Sequence, residues 1–155
     1  MNELLAVIRI RGKINIRKKV EDTLGMLRLN KINHCVLVPE TPEYLGMVKK
    51  AKDWITWGKI DKKTVAELFK KRGMVKGGKK LEEGNIKKVT KYDVLGSFVD
   101  DLMKGKVKFK DYPELKPVFR LNPPIKGYKA TRIPYPRGDL GDRKEKIKDL
   151  LERMI

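Results

Sequence analysis

The segment GMVKGGKK fits, over residues 73–79, the G-x-x-x-x-G-K spacing of a loop that cradles nucleotide phosphates. That chemistry also needs a Ser or Thr hydroxyl on magnesium after the lysine and a strand leading into the first glycine. Lys80 occupies the hydroxyl position, and a helical pattern precedes Gly73. An NTPase is therefore disfavoured, and the segment reads as a basic glycine-rich loop suited to RNA. His34 and Cys35 are the only histidine and the only cysteine. Neighbours in a strand point to opposite faces, so they cannot act on each other as base and nucleophile. One Cys and one His form neither an intrachain disulfide nor a four-ligand zinc cage. His34, at a strand start, reads as a surface residue with RNA contact as the alternative. Asp100 and Asp101 diverge by about 100° on a helix and do not make a carboxylate dyad. With no acid, base and nucleophile set, the expectation is a protein that is not an enzyme, with no cofactor, no metal site and no small-molecule substrate.

The cations are a stronger signal. The chain has 38 Lys and Arg against 20 Asp and Glu in 155 residues, a formal charge of +18. Such an excess favours a polyanionic partner that releases counterions on binding. The charge is clustered: residues 59–91 hold 12 bases and 4 acids, and residues 104–137 hold 10 and 2. Arg9, Arg11, Lys13, Arg17, Lys18 and Lys19 place six cations in eleven residues. Guanidinium forks bind phosphate bidentately and stack on bases, so this run is a concrete RNA-binding candidate.

The elements that position these groups follow from periodicity. In LLAVIRI, Leu4, Ala6, Ile8 and Ile10 share one side of a strand, while Leu5 and Val7 give way to Arg9 and Arg11 on the other. The spacing predicts a strand with one buried face and one open, increasingly basic face. Val20, Leu24 and Leu27 predict a helix over 17–30, and a second strand spans 34–38. Thr41 and Pro42 have the cap and first-turn pattern of a second helix, whose stripe is Tyr44, Val48 and Ala51. A third strand covers 54–58, with Trp54, Trp57 and Tyr44 read as packing residues rather than stacking platforms. Beyond it, Asp61 caps a helix ending at a C′ glycine, Gly73. Thr90 and Asp93 have capping-box spacing before a helix closed by Gly105, and a last helix starts near Asp142. Residues 73–84 and 122–141 read as loops. No run approaches the roughly 18 apolar residues that span a bilayer. Glu3 sits where a secretory signal wants positive charge, and a cytoplasmic location is expected.

IRIRG, followed by TLGMLRLNKINHCVLVPETPEYLGMVKKAKDWITWG, resembles the large-subunit ribosomal protein family numbered thirty in bacteria, in its longer archaeal form. The matching positions are Arg9, Gly12, Thr23, Leu24, Leu27, Leu29, His34, Val36, Thr41, Pro42, Gly46, Met47, Lys49 and Trp57. VFRLNPPIKGY, over 118–128, is similar to the proline-proline segment of the archaeal extension. The resemblance implies an α+β fold: a ferredoxin-like βαβαβ core over 1–58, with a three-stranded sheet in order 3-1-2, both helices on one face and the other face open. A mostly helical extension over 59–155 packs on it. It also implies a structural role in the large subunit, bound to 23S rRNA near 5S rRNA and beside other large-subunit proteins, with no membrane partner. The candidate RNA contacts are then the run from Arg9 to Lys19, with Arg28, His34, Gly46, Lys49 and Lys50. In the extension they are Lys76, Lys79, Lys80, Arg120, Lys126, Lys129, Arg132 and Arg137. A free RNA-binding accessory protein is the alternative.

Overall fold

The computed structural model describes residues 4–81, 83–112 and 114–155, so Glu3 lies outside the described residues. Strand β1 (Leu4–Arg9) leads through a bend into α1 (Lys18–Met26). The helix stops short of the predicted end because Arg28 takes a left-handed conformation (φ 65°) and Leu29 N–H returns to the Leu24 carbonyl at 2.8 Å. β2 (His34–Pro39) is followed by α2 (Pro42–Lys50), where the Thr41 hydroxyl accepts the Tyr44 N–H at 3.4 Å and Pro42 opens the first turn. β3 (Ile55–Lys59) completes the first region.

The chain beyond it supplies α3 (Lys62–Arg72), a hairpin of β4 (Met74–Val75) and β5 (Lys79–Lys80), α4 (Glu83–Thr90), α5 (Leu95–Met103), β6 (Val118–Arg120), β7 (Gly141–Asp142) and α6 (Ile147–Met154). This mixed α+β chain forms a sheet of five strands, not three, in the order β6-β2-β1-β3-β7. β6 runs antiparallel to β2 and β7 parallel to β3, so the later chain pairs with both outer edges of β2-β1-β3.

The expected open face is absent. α1 and α2 bury Val20, Leu24 and Val48 against Leu5, Val7, Val36, Val38, Ile55 and Trp57, which is the face the alternation had marked as open. The opposite face, with Leu4, Ala6, Ile8, Cys35 and Leu37, is widened by Phe119 of β6 and covered by Phe69, Phe98, Ile147 and Leu150 from the second region. Alternation separates two sets of side chains but does not say which one the connecting helices cover. Burial in this apolar layer pushes the Cys35 thiol up to about 12. At Gly58 the approach leaves no room for a side chain, because a Cβ there would strike the Lys144 carbonyl oxygen and the Ile147 side chain.

The second region has its own aromatic centre. The Phe69 ring lies 5.0 Å from Phe119, 5.5 Å from Phe98, both edge-on, and 6.0 Å from Phe109, stacked. Asp61 caps α3 by accepting the Thr64 N–H at 3.0 Å. Gly73 is not a left-handed C′ residue; its backbone is extended (φ −63°, ψ 136°), and glycine fits because a Cβ would strike the Phe69 carbonyl. The predicted loop over 73–84 holds the β4–β5 hairpin and the start of α4. The capping box is not formed either. Thr90 ends α4, donating its hydroxyl back to the Ile86 carbonyl at 2.7 Å, and α5 starts after Val94 without a side-chain cap. Gly105 does close α5 with φ 76°. Near the end, buried Arg143 pairs with Asp139 at 2.6 Å and donates to the Thr56 hydroxyl at 3.0 Å, pinning the 130–143 segment to β3. Among the described residues no helix is long and apolar enough to cross a membrane.

Candidate nucleic-acid interface

The first cation of the sequence-derived set is not on the surface. Arg9 continues the Leu5 and Val7 side of β1, and the turn after α1 closes over it, leaving it 2% exposed. Its Nε donates to the Arg11 carbonyl at 2.8 Å and a terminal nitrogen to the Leu29 carbonyl at 2.7 Å, while its own carbonyl accepts the Asn33 N–H. Burial draws its pKa below the ordinary guanidinium value, with Glu21 opposing. Arg9 therefore ties the turn after α1 to the end of β1, and it leaves the list of RNA contacts.

Arg11, two residues on, is half-buried. Its guanidinium carbon stands 4.9 Å from the Trp54 ring centroid, and a terminal nitrogen donates to the Asp53 carbonyl at 3.2 Å. Lys13, Arg17, Lys18 and Lys19 are exposed in the bend and the first turn of α1. Three cations at this helix start oppose the positive end of its dipole, and the cap residue Arg17 offers no side-chain bond to the free N–H groups. The arrangement costs helix stability and suits an anion. Ile14, 83% exposed, projects from the same bend.

A second group forms where β2 meets β6. His34 stands opposite Arg120 in the register, and Arg28, Asn30, His34, Lys116, Pro117, Val118 and Arg120 line a surface concavity of about 400 Å³. His34 is half-buried, and its pKa falls below the ordinary imidazole value through burial, then through Arg120, Lys31 and Arg9. It is thus an uncharged ring at neutral pH, surrounded by cations. Sequence reasoning missed Lys116, because only the pairing of β6 with β2 carries it to Arg28.

The rest of the set does not converge there. Gly46, Lys49 and Lys50 are exposed on α2, the two lysines in its last turn, where the dipole favours them. Lys76, Lys79 and Lys80 are exposed on the β4–β5 hairpin, whose turn uses Gly77 and Gly78 at φ 94° and 79°. Lys79 lies in a strand and Gly73 is packed against Phe69 and Leu81, so this segment does not wrap the start of a helix as a nucleotide loop does. Lys126 and Lys129 are exposed where Arg153 donates to the Ile125 and Gly127 carbonyls, and Arg132 and Arg137 along the segment held by Arg143. No group of His, Cys, Asp and Glu able to hold a metal occurs among the described residues. Charge is therefore presented by strand ends, a helix start, a hairpin and a loop, and not by a sheet face.

Comparison with known proteins gives one consistent result. Residues 5–55 match the profile of a family described as ribosomal protein L30p/L7e. The chain is 48% identical over 152 residues to a protein of Methanocorpusculum labreanum named large ribosomal subunit protein uL30, covering 97% of this chain and 99% of that one. Proteins of the same name from Archaeoglobus fulgidus and Methanococcus maripaludis are each 44% identical, again over 97% of this chain and 99% and 98% of theirs.

Proposed function

The chain belongs to the ribosomal protein L30p/L7e family, and on that premise we propose that it is a structural constituent of the large ribosomal subunit, binding 23S rRNA close to 5S rRNA among other large-subunit proteins of the cytoplasmic ribosome. The family is structural and non-enzymatic. The observation that carries the reading is the extent of the kinship: relatives with that name align over 97% of the chain, so the basic second region is part of what is shared. The physical character of the surface supports it. The net charge of +18 comes from an excess of Lys and Arg over Asp and Glu, and most of the described lysines and arginines are exposed, the form of surface that gains from counterion release.

Both sheet faces are buried, so the RNA contacts proposed are those of the periphery. They comprise Arg11, Lys13, Arg17, Lys18 and Lys19 at the first bend and the turn of α2 at Gly46, Lys49 and Lys50. Lys76, Lys79 and Lys80 on the hairpin join them, with Arg28, His34, Arg120, Lys126, Lys129, Arg132 and Arg137. Sedimentation of a cell extract tests the assignment: the protein co-migrates with 50S particles at moderate salt and leaves them as salt rises. Recovery instead in free RNA complexes of lower mass would favour an accessory RNA-binding protein.

A further inference from the structure

The antiparallel pairing of β6 on β2 brings together two stretches that lie far apart in sequence. Arg28 and Asn30 come from the turn between α1 and β2 and His34 from the first position of β2, while Lys116, Pro117 and Arg120 come from the chain entering and forming β6. Three cations face one concavity, and none of the described residues lining it is acidic. Self-repulsion of that kind calls for a bound anion. Arg28 takes φ 65° where it ends α1, and that turn sets it at the mouth of the concavity. The floor is not purely ionic: an uncharged imidazole and the Pro117 ring offer flat or apolar surface beside the charges. This open concavity of about 400 Å³ has room for one nucleotide, whose base must be unstacked to lie on it, and bases in a duplex stay stacked and paired.

We infer that this concavity seats a single unpaired RNA nucleotide, its phosphate held by Arg28 and Arg120 and its base laid against His34 and Pro117. The inference rests on the rRNA-binding reading and specifies one contact within it. One wall comes from each region of the chain, so the pocket exists only once the second region has docked.

His34 is the sole histidine, so its imidazole gives one distinct resonance in the full-length protein. That signal is followed while the protein is titrated with a single-stranded hexaribonucleotide, with inorganic phosphate and with an RNA duplex of equal phosphate content. The inference requires a shift with the single strand at concentrations where phosphate and duplex leave the signal in place. Arg120→Ala, which keeps the backbone pairing to His34, should weaken the hexamer by about fivefold to tenfold without changing the melting temperature. Lys116→Ala, on the same wall, serves if the first variant melts early. Equal shifts with phosphate or duplex would reduce the pocket to a general anion patch, and no shift with the hexamer would remove it altogether. The parent reading is judged separately. Protein that sediments with 50S particles while His34 ignores the hexamer loses only the pocket, and protein that responds to the hexamer but never sediments with 50S loses the ribosomal assignment.

Discussion

On one face of the central sheet, Leu5, Val7, Val36 and Val38 are covered by α1 and α2, the helices that connect those same strands. On the other, Leu4, Ala6, Ile8 and Leu37 depend on Phe69, Phe98, Phe119 and Leu150, which arrive from far along the chain. The first face is closed by local contacts and the second by distant ones, which bring loop-closure entropy with them. Strands buried on both sides cannot offer a sheet surface to RNA, so the same distant packing moves recognition to the rim.

The most severe break of this comparison is to remove the distant half. A chain ending at residue 58 would bare Leu4, Ala6, Ile8, Cys35 and Leu37 at once, and a unit of this size buries only about 60% of its unfolded surface even when complete. Calorimetry should find no cooperative melting near that of the full chain; an unchanged transition would mean the second region does not support the first. Next come single core truncations, one per face. Phe69→Ala removes a ring that touches three others and should cost about 3–5 kcal/mol, and Leu24→Ala on the local face about 2–5 kcal/mol, both read from denaturant unfolding. If the distant face folds as part of one cooperative unit, both variants give a single transition.

Arg9 and Arg11 sharpen the contrast between core and rim within one strand end. Arg9→Ala leaves the Leu29 and Arg11 carbonyls without their donor and should cost about 2 kcal/mol of stability, with little effect on the salt dependence of RNA binding. Arg11→Ala should leave melting nearly unchanged and lower the slope of log K against log salt by about one. The reverse pattern would return Arg9 to the surface.

The smallest effect is a pH dependence at the seam between the regions. The folded imidazole of His34 titrates below the ordinary value of 6.5, so in the window beneath 6.5 the unfolded chain binds a proton that the folded one does not. Stability is full above that value and declines as pH falls through it toward the folded pKa. Melting temperatures measured from about pH 8 to about pH 5 should show this decline, reduced in His34→Gln.

What the sequence made legible was local. Thr41 and Asp61 act as caps through hydrogen bonds spanning three residues, so a short window sufficed to place α2 and α3. The apolar stripe of α1 was equally plain, but its end was set by Arg28 turning left-handed, which no period announces. The strand alternation groups the side chains correctly and marks the Leu4, Ala6 and Ile8 side as buried, but the Leu5 and Val7 side is buried too, because α1 and α2 cover it while a layer from residues past 60 covers the other. β6 and β7 have three and two residues, too few to show a period, and both exist through pairing alone. For the candidate interface, charge type was readable and placement was not. Arg9 and Arg11 look alike in IRIRG, and only the Leu29 carbonyl distinguishes the buried one.

The edge strands also set a timetable for synthesis. β2 and β3 leave the tunnel early, but the segments that pair with their outer edges, β6 and β7, end at residues 120 and 142. At about 5–20 residues per second, a nascent chain carries an unpaired β3 edge for about 4–17 s before β7 emerges. Unpaired edges recruit other strands, so this interval is when the growing protein is most exposed to aggregation and to capture by chaperones. Slowing translation between residues 59 and 142 would lengthen the hazard without altering a single contact of the finished molecule.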